Sequence, residues 1–151
     1  MTANYMETTA TLQDGLDVLV MDSRLSEMSR LPAWVEDVGE RFGISARVQF
    51  AMNLCLEEAV SNVIRHGYVR RAGVVRVSFG ERERYFVVEV EDDAPQLDPL
   101  HLPALPRVDE QSPDRLGGQG IRLMSGFSDL LEYEPTATGN LLRIGFLNET
   151  Q

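Results

Sequence analysis

The apolar residues of this 151-residue chain change their spacing near its middle. Before Gly67 they recur three and four residues apart, which is the period of an amphipathic helix. In the segments 74–79 and 85–90 apolar and polar residues alternate instead, as they do in half-buried strands. The chain is therefore expected to build a sheet in its second half and to cover that sheet with helices from its first half.

A strand region is expected over residues 10–21, with a turn at Asp14-Gly15. A helix then runs from a cap at Asp22 or Ser23 to Phe42, where Gly43 ends it and Pro32 kinks or splits it. Its apolar stripe consists of Leu25, Met28, Leu31, Val35, Val38 and Phe42.

Ser45 is expected to cap a second helix over residues 46–66, which Gly67 closes. The core face of this helix collects Val48, Met52, Cys55, Ala59 and Val63. Cys55 is the only cysteine, so an internal disulfide is excluded, and we expect it to be a small buried apolar group.

The second half of the chain contains a hairpin, a long loop, a short helix and two strands. Residues 80–84 join the hairpin strands, and residues 94–116 hold five of the seven prolines, which is typical of a functional or disordered loop. The helix is expected to begin near Gly118 to Gly120, and strands follow at about 130–134 and 141–146, joined by a turn at 138–140. This order favours one α+β domain over residues 1–151, a two-layer sandwich with helices on one face of a mixed, mostly antiparallel sheet.

The charged residues exclude several classes of function. All fourteen basic residues are arginine, so neither a Walker A loop nor the strand lysine of ordinary protein kinases is present. The formal charge of −10 disfavours nucleic acid and fits a basic protein partner better. The apolar runs are short and the first twenty residues carry acidic side chains, so we expect a cytoplasmic protein without membrane association.

Three polar residues, Glu58, Asn62 and His66, are spaced four apart on the second predicted helix. They form a row along the edge of its core face, with about 5 to 6 Å between neighbouring β-carbons. Spacing alone leaves two interpretations open. The side chains are half-buried groups bonded to loops, or they are a carboxylate base and an amide ligand for Mg²⁺, which prefers oxygen donors.

Two further motifs carry chemistry in this order along the chain. Asp92 ends an apolar strand, where its carboxylate is either a turn residue or an acceptor for an exocyclic amine such as that of adenine. Gly117-Gly118-Gln119-Gly120 precedes an apolar helical stretch. It is either a hinge or the start of a helix at which backbone amides approach phosphates.

Together these motifs resemble the GHKL ATPase superfamily, and most closely its anti-sigma-factor serine/threonine kinase branch. The resemblance covers nearly the whole chain. Residues 56–68 are similar to the N box of that branch, residues 92–99 to its first glycine box and residues 117–124 to its second. It implies the Bergerat ATP-binding fold.

The resemblance also implies roles for single residues. Glu58 would be the general base, Asn62 the Mg²⁺ ligand and Asp92 the adenine acceptor. The other nucleotide-binding positions would be His66, Ala94, Arg115, Gly117, Gly118 and Gly120, with Gly118 and Gly120 as phosphate-loop glycines and Arg115 facing the γ-phosphate. The proline-rich loop, residues 94–116, would be the ATP lid.

One residue departs from the pattern, because the family usually has glycine at the position of Ala94. If the backbone there requires a positive φ, alanine costs on the order of 1 kcal/mol, and its methyl group would crowd the nucleotide.

The leading hypothesis is an ATP- and Mg²⁺-dependent kinase that phosphorylates a serine or threonine of a STAS-domain antagonist and sequesters a sigma factor or another target. The alternative is a partner-switching regulator that binds nucleotide, or nothing, without transferring phosphate. A histidine-kinase catalytic domain is a weaker hypothesis, because only His66 and His101 are present. Dimerisation is common in that family, so the resemblance allows a homodimer, while the sequence leaves the oligomeric state open.

Overall fold

The structure, a computed structural model, describes residues 17–69, 71–101 and 113–149, with the backbone alone for residue 101 and residues 113–119. The strands are β1 (Val18–Asp22), β2 (Val74–Arg82), β3 (Tyr85–Asp92), β4 (Leu130–Pro135) and β5 (Asn140–Leu147). The α-helices are α1 (Leu31–Phe42), α2 (Ala46–Asn62) and α3 (Pro113–Phe127). Short 3-10 helices cover Leu25–Arg30 and Pro99–His101, and a π-helical segment covers Val63–Gly67.

The five strands form one sheet in the order β1-β2-β3-β5-β4, and every pairing among the described residues is antiparallel. The expected α+β class is confirmed, and within the described residues the sheet is antiparallel throughout rather than mixed. The segment that contains α3 carries the chain from β3 to β4, which runs in the same direction as β3. Because β5 lies between these two strands, no parallel pair forms.

Pro32 splits the first predicted helix, as expected. It lies in the first turn of α1, where proline needs no hydrogen-bond partner, and a 3-10 helix precedes it. Gly43 ends α1 in the left-handed region with φ of 66°. The predicted caps at Asp22 and Ser23 are wrong: the cap position is Arg24, and the Ser23 hydroxyl accepts a hydrogen bond from the Gly73 amide instead.

The second helix begins as predicted and ends earlier. The Ser45 hydroxyl caps α2 by accepting a hydrogen bond from the Val48 amide at 3.2 Å. The helix stops at Asn62 rather than near His66, because the chain widens into the π segment, which the Tyr68 amide closes by donating to the Val63 carbonyl at 3.0 Å. Gly67 therefore does not act as a left-handed cap.

Two other predicted boundaries differ from the structure. β2 and β3 pair as far as Arg82 and Tyr85, so the connection is a two-residue turn in which Glu83 has φ of 55°. Helix α3 begins at Pro113 and includes Gly117 to Gly120, because proline is well tolerated at a helix start and glycines inside a helix cost only about 1 kcal/mol each. The predicted strand region over residues 10–16 lies outside the described residues.

A single core fills the space between the helices and one face of the sheet. On α1 it includes Leu31, Val35 and Val38, whereas Leu25, expected in the same stripe, is 48% exposed. On α2 it includes Met52, Cys55 and Ala59, with Val48 and Val63 partly buried. Burial raises the pKa of the Cys55 thiol to about 12, in agreement with its expected role as a buried apolar group. No helix in the described ranges is long and apolar enough to cross a bilayer.

Candidate functional site

A small cavity lies where the end of α2 faces β3, β5 and the segment that follows β3. Its volume is about 60 Å³. It is lined by Ala59, Asn62, Val63, His66, Gly67, Val90, Asp92, Pro95, Leu97, Pro99, Tyr133, Asn140 and Leu142. Asn62, His66 and Asp92, three of the predicted site residues, therefore lie around one cavity.

The predicted polar row on α2 divides at the π segment. Glu58 and Asn62 are half-buried on the α-helix, whereas His66 lies in the wider π turn and is exposed. Single π turns inside helices are frequent at functional sites. The apolar spacing of residues 59–66 did not predict this turn, because a turn with one extra residue is built from the same residue types as an ordinary helical turn.

Asp92 is buried at the end of β3 and is held by two hydrogen bonds. Its Oδ1 accepts from the Ala94 amide at 2.9 Å and from the Asn140 side-chain amide at 2.8 Å. Burial raises the pKa of the carboxyl, and these two hydrogen bonds act in the opposite direction. Within the described residues both bonds end on Oδ1, so Oδ2 can accept a hydrogen bond from a ligand in the cavity.

Asn140, the first residue of β5, connects the parts of the cavity wall. Its Nδ2 donates to Asp92, to the Ala94 carbonyl at 3.3 Å and to the Pro95 carbonyl at 3.2 Å. Its Oδ1 accepts from the Leu97 amide at 2.9 Å and from the Tyr133 hydroxyl at 2.5 Å. Sequence reasoning treated Asn140 as a turn residue only. Its position at the start of a buried strand, directly after a glycine, was the one available signal.

Ala94 adopts an ordinary backbone conformation. Among described residues other than glycine, only Glu83 has a positive φ, so alanine causes no backbone strain at position 94. Its methyl group is buried and lies over Gly67. The condition for left-handed strain at position 94 is therefore not met.

Glu58 lies beside this cavity, against α3. Its carboxylate approaches Gly120 so closely that a β-carbon at position 120 would lie 2.5 Å from Oε2. Burial raises the pKa of the Glu58 carboxyl, the charge of Glu57 adds to the rise, and Arg65 opposes it. A larger fraction of this carboxyl is thus protonated at a given pH than for a solvated glutamate, and its conjugate base is stronger.

The second glycine box is only partly described. Gly117 and Gly118 lie within α3, and Gly120 is buried on it, whereas the side chain of Arg115 lies outside the described residues. Residues 102–112 of the predicted lid also lie outside them. The expected roles of Arg115, Gly117 and Gly118 remain predictions.

Known proteins that are similar to this chain include a serine/threonine-protein kinase and anti-sigma F factors. The chain is 29% identical over 105 residues to the serine/threonine-protein kinase BtrW of Bordetella bronchiseptica, covering 67% of this chain and 72% of that protein. It is 28% identical over 79 residues to an anti-sigma F factor of Clostridium kluyveri, covering 52% of this chain and 56% of that protein. An anti-sigma F factor of a Thermoanaerobacter species is 28% identical over 90 residues, which cover 59% of this chain and 63% of that protein. The chain thus spans little more than half the length of these two anti-sigma F factors.

The fold has a counterpart among solved structures. A histidine kinase domain from the blue-light activated histidine kinase of Erythrobacter litoralis matches 80% of this chain and 62% of its own, with a TM-score of 0.50 and 19% identity. At that identity the match supports the fold alone. The histidine kinase-like ATPase domain family matches residues 21–146, which is most of the chain. The resemblance to the GHKL ATPases found in the sequence is thereby confirmed, and the chain belongs to the histidine kinase-like ATPase domain family.

Proposed function

We propose that this chain is an ATP-dependent protein serine/threonine kinase of the anti-sigma-factor type. It phosphorylates a STAS-domain antagonist and sequesters a sigma factor or another regulatory target. The family and the names of the relatives support the broader class, a nucleotide-using regulator of the partner-switching kind. Cytoplasmic location remains a prediction, and the oligomeric state remains open.

The observation that carries the kinase assignment is the position of Glu58. One helical turn separates it from Asn62, which lines the cavity, and its carboxylate is half-buried with a raised pKa. Phosphate transfer to a hydroxyl uses such a base, whereas nucleotide binding by itself does not require one. A general base works best when its pKa is shifted towards the working pH, and burial shifts Glu58 in that direction.

The cavity fits an adenine nucleotide in its donor and acceptor groups. Asp92 would accept a hydrogen bond from the exocyclic amine, and Asn140 would hold that carboxylate in place. Asn62 would give an amide oxygen to Mg²⁺, which neutralises phosphate charge when bound. No three His, Cys, Asp or Glu side chains cluster into a metal site in the described ranges, so the phosphates and water would complete the Mg²⁺ shell. Glu58 would take the proton of the acceptor hydroxyl.

The second candidate is a regulator that does not transfer phosphate. Its support is Ala94, whose buried methyl group stands at a position where the family usually has glycine.

The two candidates are separated by Glu58→Gln, which keeps the shape of the side chain and removes the base. In the kinase, ATP affinity changes little, while phosphate transfer from labelled ATP to a STAS partner falls on the order of a hundredfold or more. Glu36→Gln is the matched control, because Glu36 is an exposed glutamate on α1 that neither lines the cavity nor contributes to the pKa shift of Glu58.

Each alternative result has a defined meaning. If the wild-type protein binds both ATP and its partner yet transfers no phosphate, the kinase assignment is wrong. If Glu58→Gln transfers phosphate as fast as wild type, the enzyme is a kinase with a different base.

A further inference from the structure

Helices α2 and α3 meet along a line of close contacts that ends at Glu58. Cys55 and Met124 are both fully buried on this line, and the Cys55 thiol lies 3.9 Å from the Met124 carbonyl oxygen. Gly120 lies one helical turn before Met124 on α3, and Glu58 lies almost one turn after Cys55 on α2. The buried Cys55–Met124 contact therefore fixes the separation of the helices where Glu58 crosses Gly120.

At this crossing a side chain on α3 would collide with the side chain of Glu58. A β-carbon at position 120 would lie 2.5 Å from Oε2 of Glu58, 3.3 Å from its Cδ and 3.8 Å from its Cβ. The whole Glu58 side chain thus lies across the backbone of residue 120. We propose that Gly120 is a positioning residue for the Glu58 carboxylate, in addition to any contact that its amide makes with phosphate.

The location of Gly120 within α3 supports this role. Glycine in a helix interior is unfavourable relative to alanine, so helix propensity does not account for Gly120. Gly126, on the same helix, provides the comparison, because a β-carbon there would have no atom within 4 Å. The absence of a side chain leaves room for Glu58 at position 120 and makes no difference to packing at position 126.

The group that would yield to an alanine is the end of a flexible side chain. Gly120→Ala is therefore expected to displace the carboxylate while the two helices stay in place. The expected effect on phosphate transfer rests on the proposed function, in which Glu58 acts as the base. The displacement of the carboxylate does not rest on it, since it can be measured without any reaction.

The experiment compares Gly120→Ala with Gly126→Ala. Both variants should keep or raise the melting temperature, because alanine is the better helix former. The side-chain carboxyl ¹³C resonance of Glu58, assigned by its loss in Glu58→Gln, should move in Gly120→Ala and stay in place in Gly126→Ala. Phosphate transfer should fall roughly tenfold to a hundredfold in Gly120→Ala alone, since a shift of about 1 Å in a reacting group has such an effect.

Glu58→Asp provides the rescue test, because its carboxylate is one methylene shorter and lies farther from residue 120. In that background Gly120→Ala should lower the transfer rate less than it does in wild type. An equal loss in both backgrounds, or an unmoved Glu58 resonance, overturns the proposal. If Gly120→Ala loses ATP affinity while the Glu58 resonance does not move, the proposal is also overturned. Gly120 would then act only through its contact with phosphate.

Two further outcomes are decisive. If Gly120→Ala does not fold, Gly120→Ala combined with Glu58→Ala must fold, because the colliding side chain is gone, and failure of this double variant overturns the proposal. If wild type transfers no phosphate to any partner, the kinase assignment fails, and the resonance comparison decides the positioning role by itself.

Discussion

At the scale of single residues, Asn140 organises the candidate nucleotide cavity. One side-chain amide binds the carboxylate of Asp92 and three backbone groups in the segment 94–97. This network is buried, and a buried polar network holds its members firmly only when all of them are paired. The orientation of Asp92 thus depends on a residue in another strand.

Asn140→Ala tests this dependence. The change leaves buried partners unpaired, so the free energy of unfolding should fall by about 1 to 3 kcal/mol, and ATP affinity should fall with it. Tyr133→Phe is the control, because it removes one hydrogen bond to Asn140 and leaves the bond to Asp92. Urea unfolding and calorimetric titration with Mg-ATP give the two quantities. An Asn140→Ala protein that binds ATP as tightly as wild type contradicts the assigned role.

At the scale of elements, the connection between β4 and β5 packs directly on the end of β3. Thr138 donates to the carboxylate of Asp93 at 2.8 Å, and a β-carbon at Gly139 would collide with the backbone of Asp92 and Asp93. The turn therefore helps to set the place at which Asp92 leaves the sheet. Only glycine allows so close an approach.

Gly139→Ala is expected to destabilise the protein by about 1 to 3 kcal/mol, because the atoms that would have to move belong to a backbone in the sheet. Gly126→Ala is the control with open space around the new methyl group, and it should leave the stability unchanged or raise it. The midpoint of denaturant unfolding measures both. Equal midpoints for Gly139→Ala and wild type would mean that the turn relaxes freely.

The sequence predicted elements whose signals are local. The Ser45 cap, the Gly43 stop and the alternation in β2 and β3 each depend on neighbouring residues, and the structure contains all of them. The π segment after Asn62 and the start of α3 at Pro113 were missed. The π segment depends on how the end of α2 packs against its neighbours. The start of α3 was missed because the glycine-rich residues 117–120 are compatible with either a helix or a loop.

At the scale of the whole molecule, the candidate site lies at one edge of the single core, where α2, β3, β5 and the segment after β3 meet. The resemblance in sequence predicted that Asn62 and Asp92 belong to one site, and both line the cavity. It could not predict Asn140 or Tyr133, because their role depends on β5 lying between β3 and β4. Nor could it predict that Glu58 faces α3.

The central claim is that this cavity binds Mg-ATP through Asn62, and calorimetric titration tests it most directly. Wild type should bind ATP in the presence of Mg²⁺ and lose most of its affinity when a chelator is added. Asn62→Ala should bind ATP much more weakly than wild type. Asn53→Ala makes the same change earlier on α2 and outside this cavity, so it should bind ATP as tightly as wild type does. Equal ATP affinity in Asn62→Ala and wild type, or an affinity that the chelator leaves unchanged, would contradict the claim.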